Sequence, residues 1–382
     1  MQIPLSQPDI TSLEKNKVME VLNSPYLSLG PRLLEFEKKF AGFMGTEYAV
    51  AVNSGTSALH LCIRALNIKE GDKVITTPFS FISSANCILF ENAEPVFTDI
   101  DEKTLNIDTG KMGEKIEECR KKNDSLKAVL PVHVFGRPCE MNEIVSLAKE
   151  YGMHIIEDAA EATGAEYKAV NSWKKAGTFG DCGVFAFYPN KQMTTGEGGM
   201  IVTNDHKIYN LCRSMRNQGR GPSSAWFLHE RLGFNYRISD ISCALGIAQL
   251  ERMEEILSKR EKAARLYYDR LKDSNKWILP HLEEHKKISW FVYVIRLRNH
   301  FRRTDRDSIL IKLRERGIGC SNYFSPIHLQ PFYRKRFGYK KGDFPVTEKI
   351  SERTIALPFY NNLKEEQIDY VCENLRNIAE LL

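Results

Sequence analysis

An α/β fold with a mainly parallel central sheet is predicted by two observations on this 382-residue sequence. From about residue 47 to 205, short apolar runs alternate with helical patterns, the signature of strands joined by crossover helices. After about residue 240, long helical patterns take over and then give way to a strand, a helix and a final helix. The chain is too long for one ordinary core, so a large and a small domain are expected.

The elements follow in order. Tyr48–Val52 reads as a strand, and Ala58, Leu61, Cys62 and Ala65 then fall at helical spacing. Residues 73–77, 95–99, 128–132 and 153–156 read as further strands, with helix at 140–151. Ile241, Leu245 and Ala248 share a helical face, and the helix is expected to continue to about Leu271. Residues 288–297 read as a strand, 305–316 as a helix that stops at Gly317, and 364–381 as an amphipathic helix. The expected boundary lies at 250, giving a large domain over 1–250 and a small domain over 251–382.

Composition narrows the function class. Hydrophobic residues make up 42% and charged residues 27%, which suits a soluble globular enzyme. A net charge of +5 without blocks of like charge gives no footprint for nucleic acid. Nine scattered cysteines without a C-x-x-C pair point to reduced thiols. The start Met1-Gln2-Ile3-Pro4 carries no signal-peptide pattern, and no apolar run reaches spanning length. A cytoplasmic location and no membrane partner are therefore expected.

Three segments carry candidate chemistry. Asn53-Ser54-Gly55-Thr56-Ser57-Ala58 joins a strand to a helix, where free backbone N–H groups and the helix dipole attract an anion. An ordinary helix cap by Ser54 or Thr56 explains the same residues. Glu157-Asp158-Ala159-Ala160-Glu161 follows an apolar strand, at the end where open α/β sheets place ligands. A carboxylate there can pair with a cationic ring nitrogen, or Asp158 can simply cap a helix. Lys191 follows the aromatic run Phe185-Ala186-Phe187-Tyr188 and precedes Gly196-Glu197-Gly198-Gly199. A lysine withdrawn from water there is a nucleophile toward carbonyls, whereas a lone lysine in a loop is more often a surface residue. An anion cradle, a carboxylate and a sheltered lysine together are what pyridoxal 5'-phosphate needs.

At these residues the sequence resembles the DegT/DnrJ/EryC1/StrS family of nucleotide-sugar aminotransferases. The resemblance runs from Pro4-Leu5-Ser6 to about Tyr370 and includes 95–101, 157–164, 187–205, Leu232–Arg237 and Pro326–Pro331. It implies the type I aminotransferase fold, with a large domain around a mainly parallel sheet and a smaller C-terminal α+β domain. It implies Lys191 as the Schiff-base lysine and proton shuttle, and Asp158 as the partner of the pyridine nitrogen. Glu161 stands where many relatives have a glutamine that bonds the ring hydroxyl. Phe81 matches an aromatic that stacks on the ring, and Gly55, Thr56 and Ser57 match the phosphate cradle. Asn235 matches an asparagine that reaches the phosphate from a neighbouring subunit, which implies a homodimer with shared sites. His328, Tyr323 and Gln218 are candidates for substrate contact. Glutamate is the implied donor and a nucleotide-linked keto sugar the acceptor, with the amino sugar used in cell-surface polysaccharide, glycan or antibiotic synthesis.

Departures from the pattern are informative. Ala186 replaces a serine whose hydroxyl bonds the phosphate, Gln218 replaces a histidine, and Asn322 stands where a histidine is frequent. Dehydrating relatives carry histidine in place of the lysine, so Lys191 favours transamination. Two other readings remain: a non-catalytic or regulatory member of the fold, which loss of Lys191 or Asp158 would signal, and an aminotransferase for a cyclic ketone such as a keto-inositol. His281-Leu282-Glu283-Glu284-His285 fits an H-x-x-E-H zinc pattern, but it follows Pro280 in a charged connector with no third ligand, and no metal is expected. His133, after the strand at 128–132, reads as a site residue or as a satisfied structural histidine, and Tyr323 and Phe332 read as packing or pocket lining rather than catalytic.

Overall fold

The computed structural model describes residues 1–170, 172–221 and 228–381. In chain order the strands are β1 (Tyr48–Val52), β2 (Asp72–Thr76), β3 (Glu94–Phe97), β4 (Ser125–Val129), β5 (His154–Asp158), β6 (Glu166–Lys168), β7 (Trp173–Lys175), β8 (Cys182–Ala186), β9 (Gly199–Thr203), β10 (Trp277–Ile278), β11 (Lys286–Lys287), β12 (Tyr293–Leu297) and β13 (Thr354–Leu357). Seven of them form the central sheet, in the order β1-β9-β8-β5-β4-β2-β3. The pairs β3–β2, β2–β4, β4–β5 and β5–β8 are parallel, and β9 runs antiparallel to both β8 and β1. The sheet is therefore mainly parallel, as the alternation of apolar runs requires. A mainly parallel central sheet with a small separate sheet near the C-terminus is the fold class expected above.

The two antiparallel pairs have a geometric consequence. Because β9 reverses between β8 and β1, those two strands point the same way as β5. The carboxyl ends of β1, β2, β5 and β8 thus lie along one edge of the sheet. Gly199 opens β9 opposite both Val52 and Ala186. A Cβ there would lie 2.5 Å from the Ser54 carbonyl oxygen and 2.8 Å from the Gly55 nitrogen, so only glycine lets the loop after β1 close over β8.

Apolar burial holds these ends in place. Ala58, Leu61 and Cys62 are fully buried on the helix Gly55–Ala65, which packs on β8 and β9. Phe185 and Phe187 are also fully buried, with ring centroids 5.2 and 5.6 Å from that of Phe40. Each such ring contributes about 1.5–3 kcal/mol on burial, enough to fix the exit of β8 toward Lys191. A second core gathers Ile3 with residues between Ala263 and Ala379 around the sheet β10-β12-β13. The third sheet, β11-β6-β7, joins residues 286–287 to the loop after β5.

Two expectations are corrected. The helix after residue 240 does not run unbroken to Leu271: it is Asp240–Glu251 followed by Met253–Leu271. Arg252 sits between them with φ −101° and ψ 10°, and binds Asp9, Glu14 and Glu255. The strand expected over 288–297 is confined to Tyr293–Leu297, because residues 289–291 turn their carbonyls to buried side chains instead of a ladder. No helix among the described residues is long and apolar enough to cross a membrane. All nine cysteines are buried and unpaired.

Glu157 shows how the edge is anchored. It is fully buried, and its carboxylate accepts from the N–H groups of Gly177 (2.7 Å), Phe179 (2.5 Å) and Gly180 (2.8 Å). It also bonds His133 Nε2 at 3.0 Å, while His133 Nδ1 accepts from the Cys139 N–H. His133 is thus a satisfied structural residue that keeps its proton on Nε2. Glu157→Ala strands four donors in the interior and should cost about 3 kcal/mol or more. Urea unfolding reads this as a lowered midpoint; an unchanged midpoint would remove Glu157 from the scaffold.

Candidate active site

The four strand ends enclose a cavity of about 570 Å³. Ser54, Gly55 and Thr56 line it after β1, and Phe81, Ser83 and Ser84 after β2. Asp158, Ala160 and Glu161 line it after β5, and Ala186, Tyr188, Asn190 and Lys191 after β8. Phe291, Tyr323 and Phe324 close it from the C-terminal half.

The amine of Lys191 lies in a mixed environment. Its Nζ is 3.6 Å from Glu161 Oε1 and 4.1 Å from the centroid of the Phe291 ring. Its side chain is 13% exposed, so the amine is sheltered but open to the cavity. The Lys191 N–H donates to the Tyr188 carbonyl at 2.9 Å, which tightens the turn after β8.

Asp158 ends β5 and is 5% exposed. Its Oδ2 accepts from the Ser84 hydroxyl at 2.8 Å and its Oδ1 from the Ala160 N–H at 3.1 Å. Burial raises its carboxyl above the ordinary aspartate value, against these two bonds and the charge of Lys191. Glu161 is held likewise, with Oε2 accepting from the Phe135 N–H at 2.9 Å. Burial pushes it up too, opposed first by Lys191 and then by that N–H, and reinforced by Asp158. Burial also raises the Tyr323 phenol, with the charge of Glu161 adding to it.

At the other end, Ser54 caps the helix Gly55–Ala65 by accepting from the Ser57 N–H at 3.1 Å. The first N–H groups of a helix have no carbonyl behind them, so Gly55 and Thr56 present donors to an anion. The hydroxyls of Thr56 and Ser83 lie 2.7 Å apart beside them. Ala186 sits directly against Gly55, where a Cβ would come within 2.7 Å of the alanine's own. Ser57 is 8% exposed, bonds Asn53 at 2.7 Å and stands behind the cavity wall.

Not every expected residue converges here. Asn235 is exposed, outside the cavity lining, with its carbonyl 3.4 Å from the Asn53 amide. Gln218 is also exposed, at φ +62°, and its carbonyl binds His229. His328 is fully buried against Glu348 at 3.0 Å and against the Phe344 ring, away from the cavity. Phe81 lines the cavity and is 63% exposed. Phe332 is 53% exposed and packs on Tyr333. Glu283 and His285 meet Glu140 in a possible ligand cluster, but Lys286 binds both acids and Arg137 binds Glu283 at 2.7 Å. Those carboxylates already have cationic partners.

Residues not singled out from sequence also line the site. Ser83 and Ser84 follow Phe81 just past the end of β2, and polar pairs at such a strand end are a readable signal. Phe291 has no local signal, because it lies 100 residues from the amine it faces.

The comparisons with known proteins point one way. The profile of the DegT/DnrJ/EryC1/StrS aminotransferase family matches residues 8–376. The chain is 36% identical to the spore coat polysaccharide biosynthesis protein SpsC of Bacillus subtilis, over 99% of this chain and 97% of that one. It is 37% identical to the GDP-perosamine synthase of Escherichia coli O157:H7, over 98% and 97%. The structure of Helicobacter pylori PseC, an aminotransferase of pseudoaminic acid biosynthesis, superposes with a TM-score of 0.93 at 30% identity, over all of both chains.

The raised carboxyl of Glu161 gives a pH test. A group with a raised folded-state value favours the fold while protonated, and that contribution is lost as pH rises through the raised value. Glu161→Gln removes the loss. Melting temperatures of the cofactor-free proteins should therefore diverge in favour of the variant as pH rises above the ordinary glutamate value of about 4. A difference that stays flat or shrinks would contradict the assignment.

Proposed function

The chain belongs to the DegT/DnrJ/EryC1/StrS aminotransferase family, and on that premise we propose that it moves an amino group from glutamate to a nucleotide-linked keto sugar. One observation carries the reading. The Lys191 amine, the Asp158 carboxylate and the open helix terminus at Gly55–Thr56 line a single cavity of about 570 Å³. Relatives named for polysaccharide and perosamine synthesis support a sugar as acceptor.

The donor set fits pyridoxal phosphate. Gly55 and Thr56 would take its phosphate by their N–H groups, with the Thr56 and Ser83 hydroxyls standing in for the one absent at Ala186. Asp158 would hold the ring nitrogen, Glu161 the ring hydroxyl, and Phe81 one ring face. Asn190 lines the same cavity, and its buried Oδ1 has no partner among the described residues, which leaves it as a further acceptor. When bound, the cofactor supplies an aldehyde that takes up amines and a cationic ring that draws electrons from the adjacent carbon.

The protein's part is to hold and move protons. Asp158 would keep a proton on the ring nitrogen, and that positive charge would offset the desolvation that raises its carboxyl. The Lys191 amine would hold the cofactor's aldehyde, and as a free amine it would remove and return the proton at the reacting carbon of the substrate. Glu161, 3.6 Å away, would accept the proton that the Lys191 ammonium gives up, which leaves both groups neutral. Phe291, Tyr323 and Phe324 limit water at the amine. The same groups serve the keto sugar in the second half. We further propose a homodimer in which Asn235, exposed and outside its own cavity, reaches the neighbouring site.

The experiment is spectroscopic. Purified protein with pyridoxal phosphate should show the visible band of lysine-linked cofactor, and glutamate should shift it to the near ultraviolet. Within a panel of nucleotide keto sugars, the substrate should restore the band. Lys191→Ala should lose both the band and turnover; a variant that keeps them sinks the assignment. Asp158→Asn should bind cofactor but turn over about 100-fold more slowly or worse, about 2.7 kcal/mol of barrier.

A further inference from the structure

Arg260 lies on the helix Met253–Leu271 and is 2% exposed. Its guanidinium donates to three backbone carbonyls: Nη2 to Lys191 at 3.0 Å, and Nη1 to Trp290 at 3.1 Å and Phe291 at 3.2 Å. Its Cζ is 5.5 Å from the centroid of the Phe359 ring. Among the described residues no carboxylate lies within ion-pair distance of it, and its Nε has no partner. Burial pulls its pKa down to about 10, against the more distant charge of Asp9.

A buried cation without an anion is an expensive way to fill space, and an apolar side chain of similar size would do so at less cost. The identity of the three acceptors supplies a reason. One belongs to the residue that carries the amine. Another belongs to Phe291, whose ring lies 4.1 Å from that amine. The Lys191 N–H is already held by the Tyr188 carbonyl, so Arg260 fixes the peptide on the other side of the Lys191 Cα. The next residue repeats the pattern. The Gln192 amide donates to the Glu161 carbonyl at 2.5 Å and to the Ser289 carbonyl at 2.9 Å. Two adjacent buried side-chain links thus tie residues 191–192 to residues 289–291 and to the backbone of Glu161.

We propose that Arg260 is a positioning residue for Lys191: by locking its peptide to residues 290–291, it sets the amine between the Phe291 ring and the Glu161 carboxylate. This rests on the reading of Lys191 given above. The task needs a planar fork with several donors, which an ammonium cannot reproduce across three carbonyls.

Full-length Arg260→Lys and Arg260→Met test this beside the wild type. Both should bind pyridoxal phosphate, because the phosphate cradle is untouched. Formation of the visible lysine-linked band should slow about tenfold in R260K and about 100-fold in R260M, since small misplacements of a reacting group cost factors of this order. The fall in turnover should appear in kcat, with KM for the sugar unchanged. If R260M does not fold, R260K alone decides. R260K that forms the band at the wild-type rate overturns the role, as does a loss of kcat that only follows the unfolded fraction in a thermal melt. A wild type without the band overturns the functional reading itself, which separates the two failures.

Discussion

Three ionisable side chains, Asp158, Glu161 and Lys191, share one sheltered wall, and the structure around them exists to make that arrangement tolerable. Burying a carboxylate is costly unless its oxygens find donors. Asp158 finds them in Ser84 and the Ala160 N–H, and Glu161 in the Phe135 N–H. Each donor comes from a different loop, so the loops after β2, β4 and β5 are drawn to one point. Burial still raises both carboxyls, so the wall is poised to accept positive charge.

The sheet makes this convergence possible. Parallel strands deliver their carboxyl ends to one edge, and the reversal through β9 adds β1 to them. The helix after β1 then turns its open N-terminus to the same edge where β5 and β8 present Asp158 and Lys191. Glycine at 199 is the local condition for this closeness, because a side chain there would strike the Ser54 carbonyl. The division between the cavity-lining acid and the structural one follows from position. Glu157 points into the scaffold and is saturated, whereas Asp158, one residue on, points into the cavity.

Most of the sheet was legible because its strands are short apolar runs bounded by turn residues. The edges of β1 to β5 fall within a few residues of the pattern. Strands β8 and β9 were hidden, since the aromatic run and the glycine-rich turn between them read as a site before they read as a ladder. The break at Arg252 was also hidden: its cause is a set of acids at Asp9 and Glu14, far back in the chain. In the site, Asp158, Glu161 and Lys191 were readable because each follows a strand end. Phe291 and Arg260 were not, because their partners lie 100 and 69 residues away. Local pattern identifies the polar groups at the strand ends; the groups packed behind them come from distant sequence.

The proposed transfer depends on one covalent bond, between the Lys191 amine and the cofactor's aldehyde. Borohydride reduction of protein saturated with pyridoxal phosphate, followed by peptide mass spectrometry, locates that bond. The added mass should fall on the peptide containing Lys191, and on that lysine. Label on a different lysine, or none on a folded protein, would contradict it.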